Sequence, residues 1–173
     1  MKTKSFIIIC LFVSNFIFSQ EKLNVFDIGR KGTVEQVKEI LKSSPKAFNV
    51  VNNEGFSPLV LACYRGNNEV AKILIESGSD INGNSKMGTP LMAAIVKGNN
   101  EIAKLLIEKK ADINTFDTNG TTALIYTVQF QNPEILKLLV ENKVDKSHKD
   151  NDGKTAFEHA VFSGNETIIN LLK

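Results

Sequence analysis

Few side chains in this 173-residue chain could do covalent or metal chemistry. There are two cysteines, Cys10 and Cys63, and two histidines, His148 and His159. A thiol nucleophile needs a base beside it to take its proton, so Cys63 would have to meet a histidine. Cys63 falls at a small-residue position of a short helix, which makes it a buried structural thiol. His148 lies in a polar turn and His159 in another helix, and no metal-ligand spacing emerges. DNDGK (150–154) echoes a calcium loop but lacks the spaced acids and closing glutamate; Asp-Asn-Asp-Gly is ordinary turn sequence. There is no glycine-rich phosphate loop and no nucleophile elbow. Asp80, Asp112 and Asp145 would be catalytic only if they converged. One per repeating segment, they are expected to form a ladder about 10 Å apart, the spacing of packed helices. Asn119-Gly120-Thr121 and Asn165-Glu166-Thr167 match the glycosylation triplet of a eukaryotic secretory pathway. The inventory gives no catalytic residue, no cofactor and no metal, and so a non-enzymatic protein.

Recognition suits the remaining residues better than reaction does. Aromatic residues and arginine dominate interface energetics, and Tyr64, Arg65, Phe130 and Phe162 stand late in short helices where solvated chain would carry polar residues. Val96, Lys97 and Gln129 occupy the same recurring positions. Phe56, Lys86, Asn119 and Asp152 fall on turn tips beside them, and Phe56 is poorly placed for a core. The alternative is that the rings pack under a neighbouring helix and meet no partner.

Composition is that of one ordinary globular domain, 42% hydrophobic and 23% charged. The net charge of +2 and the lack of a basic run give no nucleic-acid footprint. MKTKSFIIICLFVSNFIFSQ opens the chain with Lys2 and Lys4, then an apolar run from Phe6 to Phe18. That run is shorter than the roughly 20 residues a spanning helix needs and has the layout of a secretory signal. We place the signal at 1–19, cleaved after Ser19, though Ile17 and Ser19 match an A-x-A site poorly. An uncleaved anchor is the alternative; lipidation at Cys10 is disfavoured by Ile7-Ile8-Ile9 before it. The product is exported, to a bacterial periplasm or the exterior, with no membrane segment after cleavage. Loss of Lys2 and Lys4 takes 21 basic residues to 19, against 19 acidic, so the mature charge is about zero. Only Cys63 then remains, and packing rather than disulfides must stabilise the fold.

The elements that would position the surface repeat. GNNEVAKILIESG (66–78) returns as GNNEIAKLLIEKK (98–110). Ser57, Thr89, Thr122 and Thr155 fall 32, 33 and 33 apart, each a good helix N-cap. Pro58 and Pro90 follow at the first helical position. Leu59, Leu91, Leu124 and Phe157 open an apolar face, and Gly66, Gly98 and Gly164 end the short helix as left-handed stops would. Asn67, Asn99, Asn132 and Asn165 are expected to cap a second helix. Glu69, Glu101, Glu134 and Glu166 lie in its first turn, where a negative charge is favoured. Val70/Ile73/Leu74 and their counterparts form one apolar stripe per helix. Extended polar turns close the units.

A period near 33 with GFSPLVLA (55–62), GTPLMAA (88–94) and ADIN-like ends (80–82, 111–114) resembles the ankyrin repeat. The resemblance covers about 23–173 and implies an all-α solenoid of helix-turn-helix units joined by β-hairpin-like loops. After the signal, 20–173 forms one such domain. Its units are 23–52, a divergent N-terminal cap, then 53–84, 85–116, 117–149 and a C-terminal cap 150–173. Gly32 aligns with Gly66. The family's histidine after T-P-L is replaced by Val60, Met92, Ile125 and Glu158. Lys110, Lys143 and Gln131 stand where it usually has glycine, at about 1 kcal/mol each if left-handed. The resemblance further implies a monomer that binds another protein through turn tips and first-helix residues lining a concave face. A protector against a toxin or an accessory to an envelope enzyme would fit; a structural or membrane-tethered spacer is the alternative.

Overall fold

Residues 24–173 are described by the computed structural model; the signal at 1–19 and its cleavage after Ser19 lie outside the described residues. Among the described residues ten helices follow one another: α1 (Val25–Lys31), α2 (Val34–Ser43), α3 (Pro58–Arg65), α4 (Asn68–Glu76), α5 (Pro90–Lys97), α6 (Asn100–Glu108), α7 (Ala123–Gln129), α8 (Pro133–Glu141), α9 (Ala156–Ser163) and α10 (Glu166–Leu172). Their contacts define two layers. α1, α3, α5, α7 and α9 touch in succession, as do α2, α4, α6, α8 and α10. Among the described residues the only β pairing is isolated bridges, Ser85 to Gly88 and Phe116 to Thr122, in the turns. The protein is an all-α solenoid with hairpin-like connections.

Local chemistry sets each helix start. The hydroxyls of Ser57, Thr89, Thr122 and Thr155 accept the N–H groups of Val60, Met92, Ile125 and Glu158, meeting one of the four donors that a helix start leaves open. Asn99, Asn132 and Asn165 cap the second helices in the same way. Asn67 differs: it makes no side-chain cap. Its amide donates instead to the carbonyls of Gly32 at 3.0 Å, Gly29 at 3.4 Å and Ile28 at 3.5 Å. The reason lies in the first unit. Gly32 is extended, φ −76 and ψ −179, where its aligned partner Gly66 is left-handed, so the last carbonyls of α1 need an outside donor.

Two periodic contacts join the units. The core is one continuous cluster from Ile28 to Leu172. Beside it runs a ladder of side chains. Asp80, Asp112 and Asp145 each accept the N–H two residues on, at 2.9, 2.9 and 2.8 Å, which closes their own turn. Asn49, Asn82 and Asn114 accept the N–H of Asp80, Asp112 and Asp145 in the next unit, at 3.1, 2.8 and 2.9 Å. The three aspartates therefore sit on successive rungs, each carboxylate engaged in a turn. Ser147 stands where an asparagine would extend the series.

The last described unit shows what a neighbour normally covers. Leu59, Leu91 and Leu124 are 0% exposed, but the equivalent Phe157 is 39% exposed. Cys63, Ile95 and Val128 are at most 1% exposed, while Val161 is 53%. Glu158 replaces the buried Val60, Met92 and Ile125 at the third such position. Its carboxylate accepts from the N–H and hydroxyl of Thr155, at 2.6 and 2.8 Å.

Helix ends test the backbone argument. Gly66 has φ +73, and Lys110 and Lys143 adopt φ 66 and 59 in spite of their side chains. A Cβ at Gly66 would also stand 3.1 Å from Cε of Lys97. Gly66→Ala is expected to lose about 1–2 kcal/mol. Lys110→Gly is expected to change stability in the opposite sense, gaining up to about 1 kcal/mol. Urea unfolding midpoints of the two variants decide it; shifts of the same sign would refute the assignment of strain.

Candidate interaction surface

Some of the late first-helix positions lie side by side. Tyr64 and Arg65 at the end of α3 and Val96 and Lys97 at the end of α5 line one hollow of about 370 Å³. Val96 and Lys97 continue into a second, of about 460 Å³, bounded by Phe130, Gln131 and Pro133. Phe56, Leu61, Tyr64, Arg65 and Met87 line a third, of about 180 Å³, reaching across to Arg30 and Glu54. Tyr64 is 39% exposed and Phe130 49%, so neither ring is hidden beneath a neighbouring helix. Phe130 keeps a tilted contact with Tyr126, 6.1 Å between centroids.

The expected residues differ in exposure and placement. Phe56 is half-buried and packed against the core. Its N–H donates to the Asn52 carboxamide at 2.9 Å, and the ring forms a wall of the cavity. Val96 is half-buried as well. Gln129 is exposed but lines none of the three hollows. Phe162 is 90% exposed and stands apart, with the Lys154 ammonium 5.9 Å from its ring centroid. Lys86, Asn119 and Asp152 are exposed on the tips. The backbone of the first two ties tip to tip: the Lys86 carbonyl accepts from the Thr118 hydroxyl at 3.1 Å, and the Asn119 carbonyl from the Asn151 N–H at 3.0 Å.

Two tip aspartates missed in the sequence reading hold these turns to the helices behind them. Asp117 Oδ1 accepts the N–H of Asn119 and Thr121, at 2.8 and 2.9 Å, and Oδ2 accepts the Tyr126 hydroxyl at 2.7 Å. Asp150 repeats the arrangement one unit on: Oδ1 accepts from Asp152 and Lys154, both at 3.0 Å, and Oδ2 pairs with His159 Nε2 at 2.6 Å. The common spacing from Asp117 to Tyr126 and from Asp150 to His159 was the available signal. Burial pushes the Asp150 carboxyl up, but the backbone N–H of Lys154 and the His159 ring outweigh it and hold it below the ordinary range. Burial, then the bond to Asp117, pushes the Tyr126 phenol above its ordinary value of 10.0.

The reactive side chains are thus employed in structure. DNDGK is a turn organised by Asp150. His148 Nε2 lies 2.9 Å from the Gly120 carbonyl, and its ring stacks on Phe116 with centroids 5.0 Å apart. Cys63 is fully buried in α3, and burial pushes its thiol up to about 12. Among the described residues no three His, Cys, Asp or Glu side chains gather to hold a metal ion, and no helix is long and apolar enough to cross a membrane. Of the glycosylation triplets, Asn119 is exposed. Asn165 is engaged, donating to Gln131 at 2.5 Å and capping α10.

Comparison with known proteins agrees with the geometry. The family described as ankyrin repeats (3 copies) matches residues 27–117 and 114–173. The chain is 34% identical over 59 residues to the ankyrin repeat and SAM domain-containing protein 6 of Rattus norvegicus, 34% of this chain and 7% of that protein. It is 40% identical over 48 residues to the acyl-CoA-binding domain-containing protein 6 homolog of Dictyostelium discoideum, 28% of this chain and 17% of that protein. The matches thus span less than a fifth of either relative's length.

Two measurements probe the buried groups. Cys63 is expected to resist thiol reagents in the native protein and to react on unfolding; rapid native labelling would contradict its burial. Folded Tyr126 holds its proton more tightly than the unfolded chain does. Its share of stability is therefore whole below pH 10 and is lost as pH rises through the higher folded value. Of the two tyrosines, ultraviolet titration should show one ionising late, a phase absent in Tyr126→Phe. That variant should also lose about 1–3 kcal/mol, since Asp117 is left buried with one fewer donor.

Proposed function

The chain belongs to the ankyrin repeat family, whose repeats support a protein–protein interaction module, and from that premise we propose an exported, non-enzymatic binder of one partner protein. The observation that carries this reading is the run of neighbouring hollows lined by Tyr64, Arg65, Val96, Lys97 and Phe130 across three successive units. These residues form the centre of the proposed concave face, flanked by Phe56 and the tips at Lys86, Asn119 and Asp152, with Gln129 and Phe162 at its margin. Turns held by Asp117 and Asp150 keep the surface organised before a partner arrives, which limits the ordering cost of association. The leader pattern at 1–19 supports a place in a bacterial periplasm or outside the cell, where a monomer could neutralise a toxin or serve an envelope enzyme.

The test combines cross-linking in the native host with a paired variant. Tyr64→Ala/Phe130→Ala is expected to weaken capture of the principal partner by at least tenfold, about 1.4 kcal/mol, with the circular dichroism of the native protein retained. Undiminished capture by a folded double variant would sink the assignment of the surface; an unfolded variant would show that the rings serve the core.

A further inference from the structure

The proposed surface is sorted by charge, and the sorting bears on what it binds. α3, α5 and α7 carry two charged side chains, Arg65 and Lys97, both cationic. α4, α6 and α8 in the other layer carry six glutamates against three lysines. The whole chain holds 21 basic and 19 acidic residues, so the imbalance is one of placement rather than of composition. Neither Arg65 nor Lys97 has a carboxylate within 4.0 Å among the described residues. The lysines of α6 and α8 differ, since Lys104 pairs with Glu134 and Lys137 with Glu141.

The Lys97 side chain runs back across Gly66 of the preceding unit, with Cε 3.1 Å from where a Cβ on that glycine would stand. Lys97 and Arg65 both line the same hollow. Next to them is the 180 Å³ cavity walled by Phe56, Val60, Leu61, Tyr64 and Met87. It is smaller than the roughly 300 Å³ at which small-molecule pockets begin, and so suits one inserted side chain. Arg30 on its wall is already paired with Asp27 at 2.9 Å. Glu54 is the one carboxylate lining the cavity, and it does not reach the hollow shared by Arg65 and Lys97.

We infer that this surface takes an acidic peptide segment of the partner, one large apolar side chain entering the Phe56–Tyr64–Met87 cavity and the adjoining Asp or Glu residues meeting Arg65 and Lys97. Glu54 lines the cavity but not the hollow of Arg65 and Lys97, so the carboxylates of the segment lie on the side of those two cations. The inference rests on the proposed binding role of Tyr64 and its neighbours and adds the chemistry of the ligand. Two unpaired cations on exposed positions raise the encounter rate and select charge sign; the apolar anchor supplies the contact that excludes water.

The experiment selects phage-displayed random dodecapeptides on the full chain and measures enriched peptides by fluorescence anisotropy. Enriched sequences are expected to carry Leu, Met or Phe followed or preceded by at least two acidic residues on one side. Arg65→Glu/Lys97→Glu, folded by circular dichroism, should weaken them at least tenfold, and raising salt from about 50 to about 500 mM should also weaken them. Failure to enrich any peptide, enrichment without acidic residues, or affinity unmoved by charge reversal overturns the inference. If Tyr64→Ala/Phe130→Ala still abolishes binding when charge reversal does not, the surface assignment stands and the acidic ligand falls. If neither variant matters, both fall.

Discussion

No helix pair among the described residues can bury its own apolar face. Everything else follows from that constraint. The first helices are apolar on nearly all sides: Pro58 to Cys63 in α3 and Pro90 to Ile95 in α5 are buried throughout. A helix of that kind needs neighbours on both flanks and at its back. The stack supplies them by placing the same surface against the next copy of itself. Phe157 and Val161 show the constraint by exception, because they occupy covered positions with no described unit beyond them.

The directional contacts refine what burial begins. Burial is proportional to area and has little directional content. The Asn49, Asn82 and Asn114 rungs are directional and fix the register between units. The same division explains the fate of the reactive side chains. A buried carboxylate such as Asp117 needs donors, and Tyr126 and two backbone N–H groups provide them. Histidine at 159 does for Asp150 what tyrosine does at 126, so one of the two histidines is a brace.

What could be read in the sequence was what depends on near neighbours. Caps at Thr89 and Thr122, the left-handed ends at Gly66 and Gly98, and even the strained Lys110 and Lys143 follow from a few adjacent residues. Exposure of Tyr64 and Phe130 was also legible, because period and helix phase fix the outward positions. What escaped needed three dimensions. Asn67 abandons its cap because α1, more than thirty residues earlier, leaves carbonyls open. Phe56 turns from tip to cavity wall because the Asn52 side chain closes its turn. The course of the Lys97 side chain depends on the missing side chain of Gly66, one unit earlier.

The rungs at Asn49, Asn82 and Asn114 have a mechanical consequence. Each ties the turn of one unit to a backbone N–H of the next, and in such a stack each unit touches only its neighbours. A turn pulled by a ligand therefore moves the turn beside it. Occupancy of one hollow and the spacing of the hollows next to it become linked quantities.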